Sequence, residues 1–332
     1  MQNIFLQENK PLTIPLATDT AHQVIDPFND QVWALRLNQG KERTFDLHTT
    51  FGLRAREMSL RVEFESLNAA PLQEKTQQFI KSLSYFANYA SFISNPLPNI
   101  EVTHQIRIAE TNIITGKLQI QNTGKTVQDF TLSLIAELSP DELGEPMRPG
   151  LEEMTNVLTG KTGNLSPVLF LTGGPDSRLS PFPALQHKIL LNPGDRRSLT
   201  WALASLEDQN RSYNKARITT SGNWHGAKAR NRMSTAEQVQ SSTDNEAWNS
   251  TFQYLRHIVQ LLQLSGQTAS TTPTFLKSRA TDQGYSINND GTDYVQPVYF
   301  QTMLDVWYYT QFNPTNLPEN LKEILSRFLF PT

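Results

Sequence analysis

The sequence contains no cysteine, which excludes a disulfide framework and any thiolate metal site. It also lacks an excess of basic residues: the formal net charge is −3, so the electrostatic footprint of a nucleic-acid-binding protein is absent. No apolar run is long enough to span a bilayer, and the N-terminus has no basic segment followed by an apolar core. We therefore expect a cytoplasmic protein without a membrane or nucleic-acid partner.

Motifs that would indicate a cofactor are missing too. The six histidines show no metal-ligand spacing. Gly160-Lys161-Thr162 resembles the end of a phosphate-binding loop, but Thr155 stands where the first glycine would be required. No serine nucleophile elbow occurs. The sequence thus predicts no metal and no cofactor.

What the chain does contain, up to about residue 220, is alternating apolar residues. Leu60, Val62 and Phe64 alternate with charged residues, and Phe130 begins a run of small or apolar residues at two-residue spacing. Such alternation is typical of strands with one buried face. We predict an antiparallel β-sandwich that is larger than a single immunoglobulin-like domain.

Two turn sequences predict how some of these strands connect. Asn122-Thr123-Gly124 lies between one long strand and the run from Phe130, which predicts a hairpin. Asn192-Pro193-Gly194-Asp195 places proline and glycine where a type II turn requires them, between two further strands.

Near residue 243 the apolar spacing changes from two residues to three and four, which predicts helices. Thr243 and Glu246 match a capping box with Thr243 as the N-cap. The apolar residues of this helix are expected to be buried on two sides: Trp248, Phe252, Leu255, Val259 and Leu262 on one, Tyr254, Ile258 and Leu261 on the other. A loop of about thirty residues follows, which is long enough to suggest a function. Two further helices are predicted, one before Pro314 and one after Pro318.

Several stretches, taken in order, carry a resemblance to a known family. They are IRIAETNIITGKLQIQNTGKTVQDFTLSLIAELSP at 106–140, LFLTGGP at 169–175, LNPGDRRSLTWALAS at 191–205, Trp224, and GYSINNDGTDY at 284–294. Their order resembles the N-terminal part of the six-hairpin glycoside hydrolases, the group that includes glycogen-debranching (amylo-α-1,6-glucosidase-like) enzymes.

This resemblance implies a β-rich, two-domain fold: an antiparallel β-supersandwich followed by the first helices of an incomplete (α/α) six-hairpin toroid. Residues 1–222 are then the supersandwich, 223–243 a linker, and 244–332 the first helical hairpins. The general acid and base of such enzymes lie on later toroid loops, so their catalytic residues are not assigned in this chain. We expect the isolated chain to be inactive as a glycosidase.

The candidate substrate-binding residues lie in the long loop between the first two helices. Carboxylates accept hydrogen bonds from sugar hydroxyls, and aromatic rings stack on the apolar faces of sugars. Asp290 and Asp293, flanked by Tyr285 and Tyr294, are therefore predicted to contact a carbohydrate. The stretch Asn288–Gly291 is also compatible with an ordinary turn.

Two classes of function follow from these observations. The first is the N-terminal portion of a glycoside hydrolase acting on α-glucan-like substrates, without its catalytic acid and base. The alternative is a non-catalytic carbohydrate-binding or assembly module. In either case the expected partner is an oligo- or polysaccharide. Leu325, Phe328 and Leu329 on the last predicted helix also suggest self-association or contact with a downstream polypeptide.

Overall fold

The structure of the chain is a computed structural model. It describes residues 12–18, 29–37, 45–67, 80, 82–222, 224, 243–264, 274–276 and 278–285. Two large sheets pack face to face within these residues, and all of their strand pairs are antiparallel.

The strands are, in chain order, β1 (Leu12–Leu16), β2 (Trp33–Leu37), β3 (Phe45–Thr49), β4 (Ala55–Ser66), β5 (Ser82–Phe86), β6 (Tyr89–Leu97), β7 (Ile100–Glu110), β8 (Ile113–Asn122), β9 (Gln128–Pro140), β10 (Glu145–Glu152), β11 (Thr155–Lys161), β12 (Ser166–Leu171), β13 (Asp176–Arg178), β14 (Ala184–Leu191), β15 (Arg196–Leu206), β16 (Gln263–Leu264) and β17 (Thr274–Phe275). The helices are α1 (Gln209–Thr220) and α2 (Glu246–Leu262). One sheet has seven strands in the order β1-β2-β3-β4-β9-β14-β13, and the other has eight in the order β10-β11-β12-β15-β8-β7-β6-β5. The short strands β16 and β17 pair with each other.

The inner faces of the two sheets share one hydrophobic core. Phe45 of the seven-stranded sheet meets Phe92 and His104 of the eight-stranded sheet, with ring centroids 4.8 and 4.6 Å apart. The alternating residues identified in the sequence, among them Leu60 and Phe130, are buried in this core. The predicted antiparallel sandwich is confirmed.

The predicted hairpin after Asn122 is wrong. Strand β8, which ends at Asn122, belongs to the eight-stranded sheet, whereas β9 belongs to the seven-stranded sheet. The turn instead carries the chain across the sandwich, where the Asn122 amide donates to the carbonyls of Thr126 and Leu191. Alternation of apolar residues shows only that each strand has one buried face. Two consecutive strands show the same alternation whether they pair in one sheet or lie in two sheets that face each other.

The predicted type II turn is present at Asn192–Asp195. Gly194 has φ +82°, and the Asp195 N–H donates to the Asn192 carbonyl at 3.0 Å. A left-handed residue at this third position is what the type II turn demands, and glycine supplies it without steric cost. This turn also connects the two sheets, since β14 and β15 lie on opposite sides of the core.

Helix α1 has no counterpart among the sequence predictions. Asp208 caps it by accepting a hydrogen bond from the Arg211 N–H at 2.9 Å. Its buried face is made mainly of small or polar residues, Ser212, Tyr213, Ala216 and Thr220, so the hydrophobic periodicity is faint. The helix packs on the outer face of the eight-stranded sheet, where Tyr213 contacts Phe170.

Helix α2 lies where a helix was predicted, but its cap differs. The side chain of Asn245, not Thr243, accepts from the N–H groups of Ala247 and Trp248, at 3.0 and 3.3 Å. Asparagine is among the most favourable N-cap residues. The Thr243 hydroxyl lies before the cap and accepts a hydrogen bond from the Asn245 N–H.

The prediction that α2 is buried on two sides is also wrong. Leu261 and His257 are buried against the sandwich, whereas Trp248 is 61% and Leu255 42% exposed. Helical spacing defines which residues share a face, but only the tertiary contacts decide which face is covered.

The fold class predicted from the sequence, a β-supersandwich followed by the start of a helical region, is confirmed. The two later predicted helices lie outside the described residues, and the domain boundaries stay a prediction. The short pair β16–β17 lies at the start of the region predicted as a long loop. None of the described helices is long and apolar enough to cross a membrane.

Candidate functional site

Of the four predicted substrate-binding residues, Tyr285 is the one that the structure describes. Asp290, Asp293 and Tyr294 lie outside the described residues. Tyr285 belongs to segment 278–285, which lies against the sandwich at the start of β4 and beside Asn29. We call this contact region, formed by Asn29, Arg54, Asn164 and Tyr285, the Tyr285 junction.

An unusual turn forms the sandwich side of the junction. Phe51, Gly52 and Leu53 are three consecutive residues with positive φ, at 52°, 66° and 68°. A residue with a side chain costs roughly 1–2 kcal/mol in this left-handed region, so the surrounding contacts must hold the turn. The Thr49 and Thr50 hydroxyls accept from the N–H groups of Phe51 and Leu53, at 3.0 and 3.2 Å.

Arg54 follows this turn and connects four parts of the chain. Its Nε donates to the Phe51 carbonyl at 2.7 Å. Its Nη1 donates to the side-chain oxygens of Asn29 and Asn164, at 2.8 and 3.3 Å. The guanidinium carbon also lies 4.0 Å from the centre of the Tyr285 ring. A cation–π contact of this kind contributes about 0.5–2 kcal/mol, more when it is desolvated, and it orients the tyrosine.

Backbone hydrogen bonds hold the rest of segment 278–285 in place. The Thr281 carbonyl accepts from the Gly52 N–H at 3.1 Å and from the Thr50 hydroxyl at 2.7 Å. The Gly284 carbonyl accepts from the Asp30 N–H at 2.8 Å. At Gly52 an added Cβ would lie 2.7 Å from the Tyr285 Cβ, so only glycine allows this close approach. The position of Tyr285 is therefore set by the sandwich.

A buried ion pair strengthens the same attachment. Both oxygens of Asp30 accept hydrogen bonds from Arg279, at 2.6 Å from Nε and 3.0 Å from Nη2, and neither side chain is accessible to solvent. Nη1 of Arg279 also donates to the carbonyls of Thr18 and Leu261, at 3.1 and 3.0 Å. Arg279 thus joins the sandwich to the last turn of α2, whose carbonyls lack partners within the helix.

The contacts of this junction fix the position of the Tyr285 ring. Asp30 is fully engaged by Arg279, so its carboxylate serves the structure. Among the described residues, no cluster of three or more histidine, aspartate or glutamate side chains is suited to a metal ion. What the junction offers is a partly exposed, fixed tyrosine ring that lies five residues before Asp290 in the sequence.

Two histidines, His104 and His257, are buried inside the fold. Burial lowers the pKa of His104 to about 3, and its Nε2 lies 2.8 Å from the Ser94 hydroxyl. Burial also lowers the pKa of His257 to about 4, against the opposing effect of a 2.6 Å hydrogen bond to the Pro15 carbonyl. Both are therefore neutral near pH 7.

Sequence reasoning missed Asn29, Arg54 and Asn164. The three residues are far apart in the chain and share no spacing or motif, so no local pattern could connect them. Phe51 and Leu53 also differ from the residues that normally adopt positive φ. Gly52 is therefore the single residue of this turn whose type indicates a left-handed backbone.

The chain matches no family model and no curated protein sequence. Several solved structures are similar to it. A bacterial glucoamylase complexed with acarbose matches 76% of this chain and 44% of its own, at 8% identity and a TM-score of 0.47. A human-microbiome protein described as a kojibiose phosphorylase matches 77% of this chain and 35% of its own, at 9% identity and a TM-score of 0.43. A heparan sulfate lyase mutant from Pedobacter heparinus matches 54% of this chain and 34% of its own, at 8% identity and a TM-score of 0.37. The chain spans less than half the length of each of these three proteins.

Proposed function

We propose that this chain is the N-terminal portion of a glycoside hydrolase that acts on α-glucan-like substrates, of the glycogen-debranching type. In this proposal Tyr285, Asp290, Asp293 and Tyr294 contact the sugar. The chain alone does not turn substrate over, because its sequence offers no carboxylate pair placed to act as acid and base. A cytoplasmic location remains our expectation.

The observation that carries the proposal is the fixed position of Tyr285. A binding residue is effective when its own geometry is held by packing and hydrogen bonds before the ligand arrives. Arg54 stacks on the Tyr285 ring, and the Asp30–Arg279 pair anchors the preceding residues. Asp290, Asp293 and Tyr294 follow this anchored residue within nine positions of the sequence.

The test is a titration of the purified chain with maltoheptaose, followed by calorimetry, together with an assay for released reducing ends. We expect binding without turnover. Tyr285→Ala should weaken binding about five- to tenfold through loss of the stacking ring, whereas Tyr285→Phe should retain it. Asp293→Asn should also weaken binding, since the amide is a poorer acceptor than the carboxylate.

Two results would contradict the proposal. The first is full affinity for maltoheptaose after both Tyr285→Ala and Asp293→Asn. The second is turnover by the isolated chain that disappears on mutation of Asp290 or Asp293, which would place the active site within the chain itself.

The C-terminal region also supports a proposal about partners. Trp248 and Leu255 leave an apolar stripe exposed on α2, and such stripes are commonly covered by another segment or chain. We expect the chain to self-associate or to bind a downstream polypeptide through the region from 244 onward. Light scattering of the chain with and without residues 244–332 measures this, and a strictly monomeric full-length chain would argue against it.

A further inference from the structure

The outer face of the eight-stranded sheet carries a polar cleft of about 350 Å³. Three neighbouring strands, β7, β8 and β15, supply the side chains that face it: Glu101, Thr103, Gln119, Gln121, Arg196 and Ser198. Ile120 and Arg197 also line the cleft, but strand alternation turns their side chains toward the opposite face. We refer to this surface as the polar cleft.

The strand register arranges the six side chains as two rows of three. Gln121 pairs with Glu101 on one side and Arg196 on the other, and Gln119 pairs with Thr103 and Ser198 in the same way. Adjacent strands are about 4.8 Å apart and residues two positions apart on a strand are about 7 Å apart. The array therefore presents closely spaced polar groups on a rigid surface.

The same array continues along the strands. Gln105, Lys117 and Thr200 form the next row, again in register. Beyond it lies Arg107, whose guanidinium carbon is 5.4 Å from the centre of the Trp224 ring. Helix α1 covers a different part of this face, against Phe170 and Val168. The polar cleft therefore continues along the strands into a mixed surface, where Tyr89, buried at 4% exposure, pairs with Arg107.

The chemistry of the two rows indicates the class of ligand. Glutamine amides both donate and accept hydrogen bonds, hydroxyls do the same, the guanidinium only donates and the carboxylate only accepts. Among the six side chains of the cleft, Glu101 and Arg196 offset each other, so the cleft itself favours neither an anion nor a cation. Lys117 and Arg107 lie beyond it. A neutral molecule with many adjacent hydroxyl groups, each both donor and acceptor, matches this mixture.

We infer that the polar cleft is a second carbohydrate-binding surface, which takes a neutral oligosaccharide and is separate from the Tyr285 junction. This inference goes beyond the proposed function, because a different sheet face and different residues carry it. Such a surface holds a glycan chain on the protein without taking part in bond cleavage.

The experiment uses the double variant Tyr285→Ala, Asp293→Asn as the background, so that binding at the junction does not mask binding at the polar cleft. Maltoheptaose, cellohexaose, mannohexaose and xylohexaose are titrated against this background, with a heparin octasaccharide as the anionic comparison. The double substitution Gln119→Ala and Gln121→Ala is then added. Gln186→Ala, on the outer face of the other sheet, is the matched control.

We expect at least one neutral oligosaccharide to bind, and the double substitution to weaken that binding about tenfold or more. The control should bind like the background. If the glutamine double variant has a lowered melting temperature, Ser198→Arg is tested in its place. Ser198 is exposed, and the larger arginine side chain at this position should occupy the cleft. This variant should also lose the binding.

Three outcomes would overturn the inference. They are no binding of any of the four neutral oligosaccharides, unchanged binding in both cleft variants, and binding of the heparin octasaccharide alone. The effects of Tyr285→Ala and Asp293→Asn on maltoheptaose binding test the proposed function separately, since the cleft variants are compared only within the background that carries both.

Discussion

Arg279 and Asp30 form a bidentate ion pair that is closed to solvent, with N···O distances of 2.6 and 3.0 Å. The two residues are separated by most of the chain, and the pair ties the segment leading to Tyr285 onto the sandwich. Burying two charges costs desolvation energy, which their close pairing offsets. Removing either partner would leave the other as an uncompensated buried charge.

The first prediction concerns this pair. Arg279→Met leaves the Asp30 carboxylate buried without its cation, and we expect the free energy of unfolding to fall by about 3–5 kcal/mol. Urea unfolding followed by far-UV circular dichroism measures the change. The double variant Asp30→Leu, Arg279→Met should be more stable than Arg279→Met alone. A loss below about 1 kcal/mol, as for an exposed pair, would contradict the structural role.

The second prediction separates steric fit from backbone strain at the Tyr285 junction. Gly52 and Gly174 both have φ +66°, but a Cβ at Gly52 would lie 2.7 Å from the Tyr285 Cβ, whereas nothing lies within 4 Å at Gly174. Alanine at either position pays about 1–2 kcal/mol for the left-handed backbone. We expect Gly52→Ala to cost at least about 1 kcal/mol more, from overpacking.

Urea unfolding of the two variants gives the difference in stability, and limited proteolysis reports on the attachment of segment 278–285. Faster cleavage in Gly52→Ala than in Gly174→Ala is the expected result. Equal stability and equal cleavage would show that Tyr285 does not pack against Gly52.

The third prediction is a dependence of stability on pH caused by His104. Its pKa falls from the ordinary 6.5 to about 3 in the folded protein, because burial disfavours the charged form. As the pH falls, His104 is therefore protonated in the unfolded chain before it is protonated in the folded protein. The stability that results from this pKa difference is fully present above pH 6.5. As the pH falls from 6.5 to about 3, the free energy of unfolding decreases by about 1.4 kcal/mol per pH unit from this source.

The variant that removes this titration is His104→Phe with Ser94→Ala, which also removes the hydroxyl bonded to the ring. Its unfolding free energy should fall less steeply between pH 6.5 and pH 4 than that of the parent. Parallel curves for the double variant and the parent would show that His104 is not buried in its neutral form.

The fourth prediction concerns a close approach between two residues of the sandwich core, Gly116 and Trp201. Gly116 of β8 pairs with Trp201 of β15, and an added Cβ would lie 2.2–2.4 Å from the indole ring. Gly116→Ala should therefore destabilise the protein by about 1–3 kcal/mol or more.

Adding Trp201→Leu to Gly116→Ala removes the clashing atoms, so the two substitutions should not be additive. The double variant should be more stable than the sum of the single effects, which urea unfolding measures. Strict additivity would mean that the two residues do not touch.

The strands show how far the sequence reaches. Alternation at Leu60, Val62 and Phe64 identified β4, and the run from Phe130 identified β9, because a half-buried strand requires a two-residue period. The Asn192–Asp195 turn was likewise predictable, since proline and glycine fix its backbone angles. The local period cannot say which strand lies opposite, and this is why β8 and β9 were wrongly joined as a hairpin.

The candidate site likewise combines features that the sequence predicts with features that only the tertiary structure shows. Tyr285 could be nominated from its neighbours in the sequence, because aromatic and acidic residues in a long loop suit a sugar. Its stacking on Arg54 and the Asp30–Arg279 pair depend on contacts between residues more than 200 positions apart. The sequence determined the chemical types and local periods of this protein. The tertiary structure alone decided the partners, because burial and pairing depend on which distant segments the folded chain brings together.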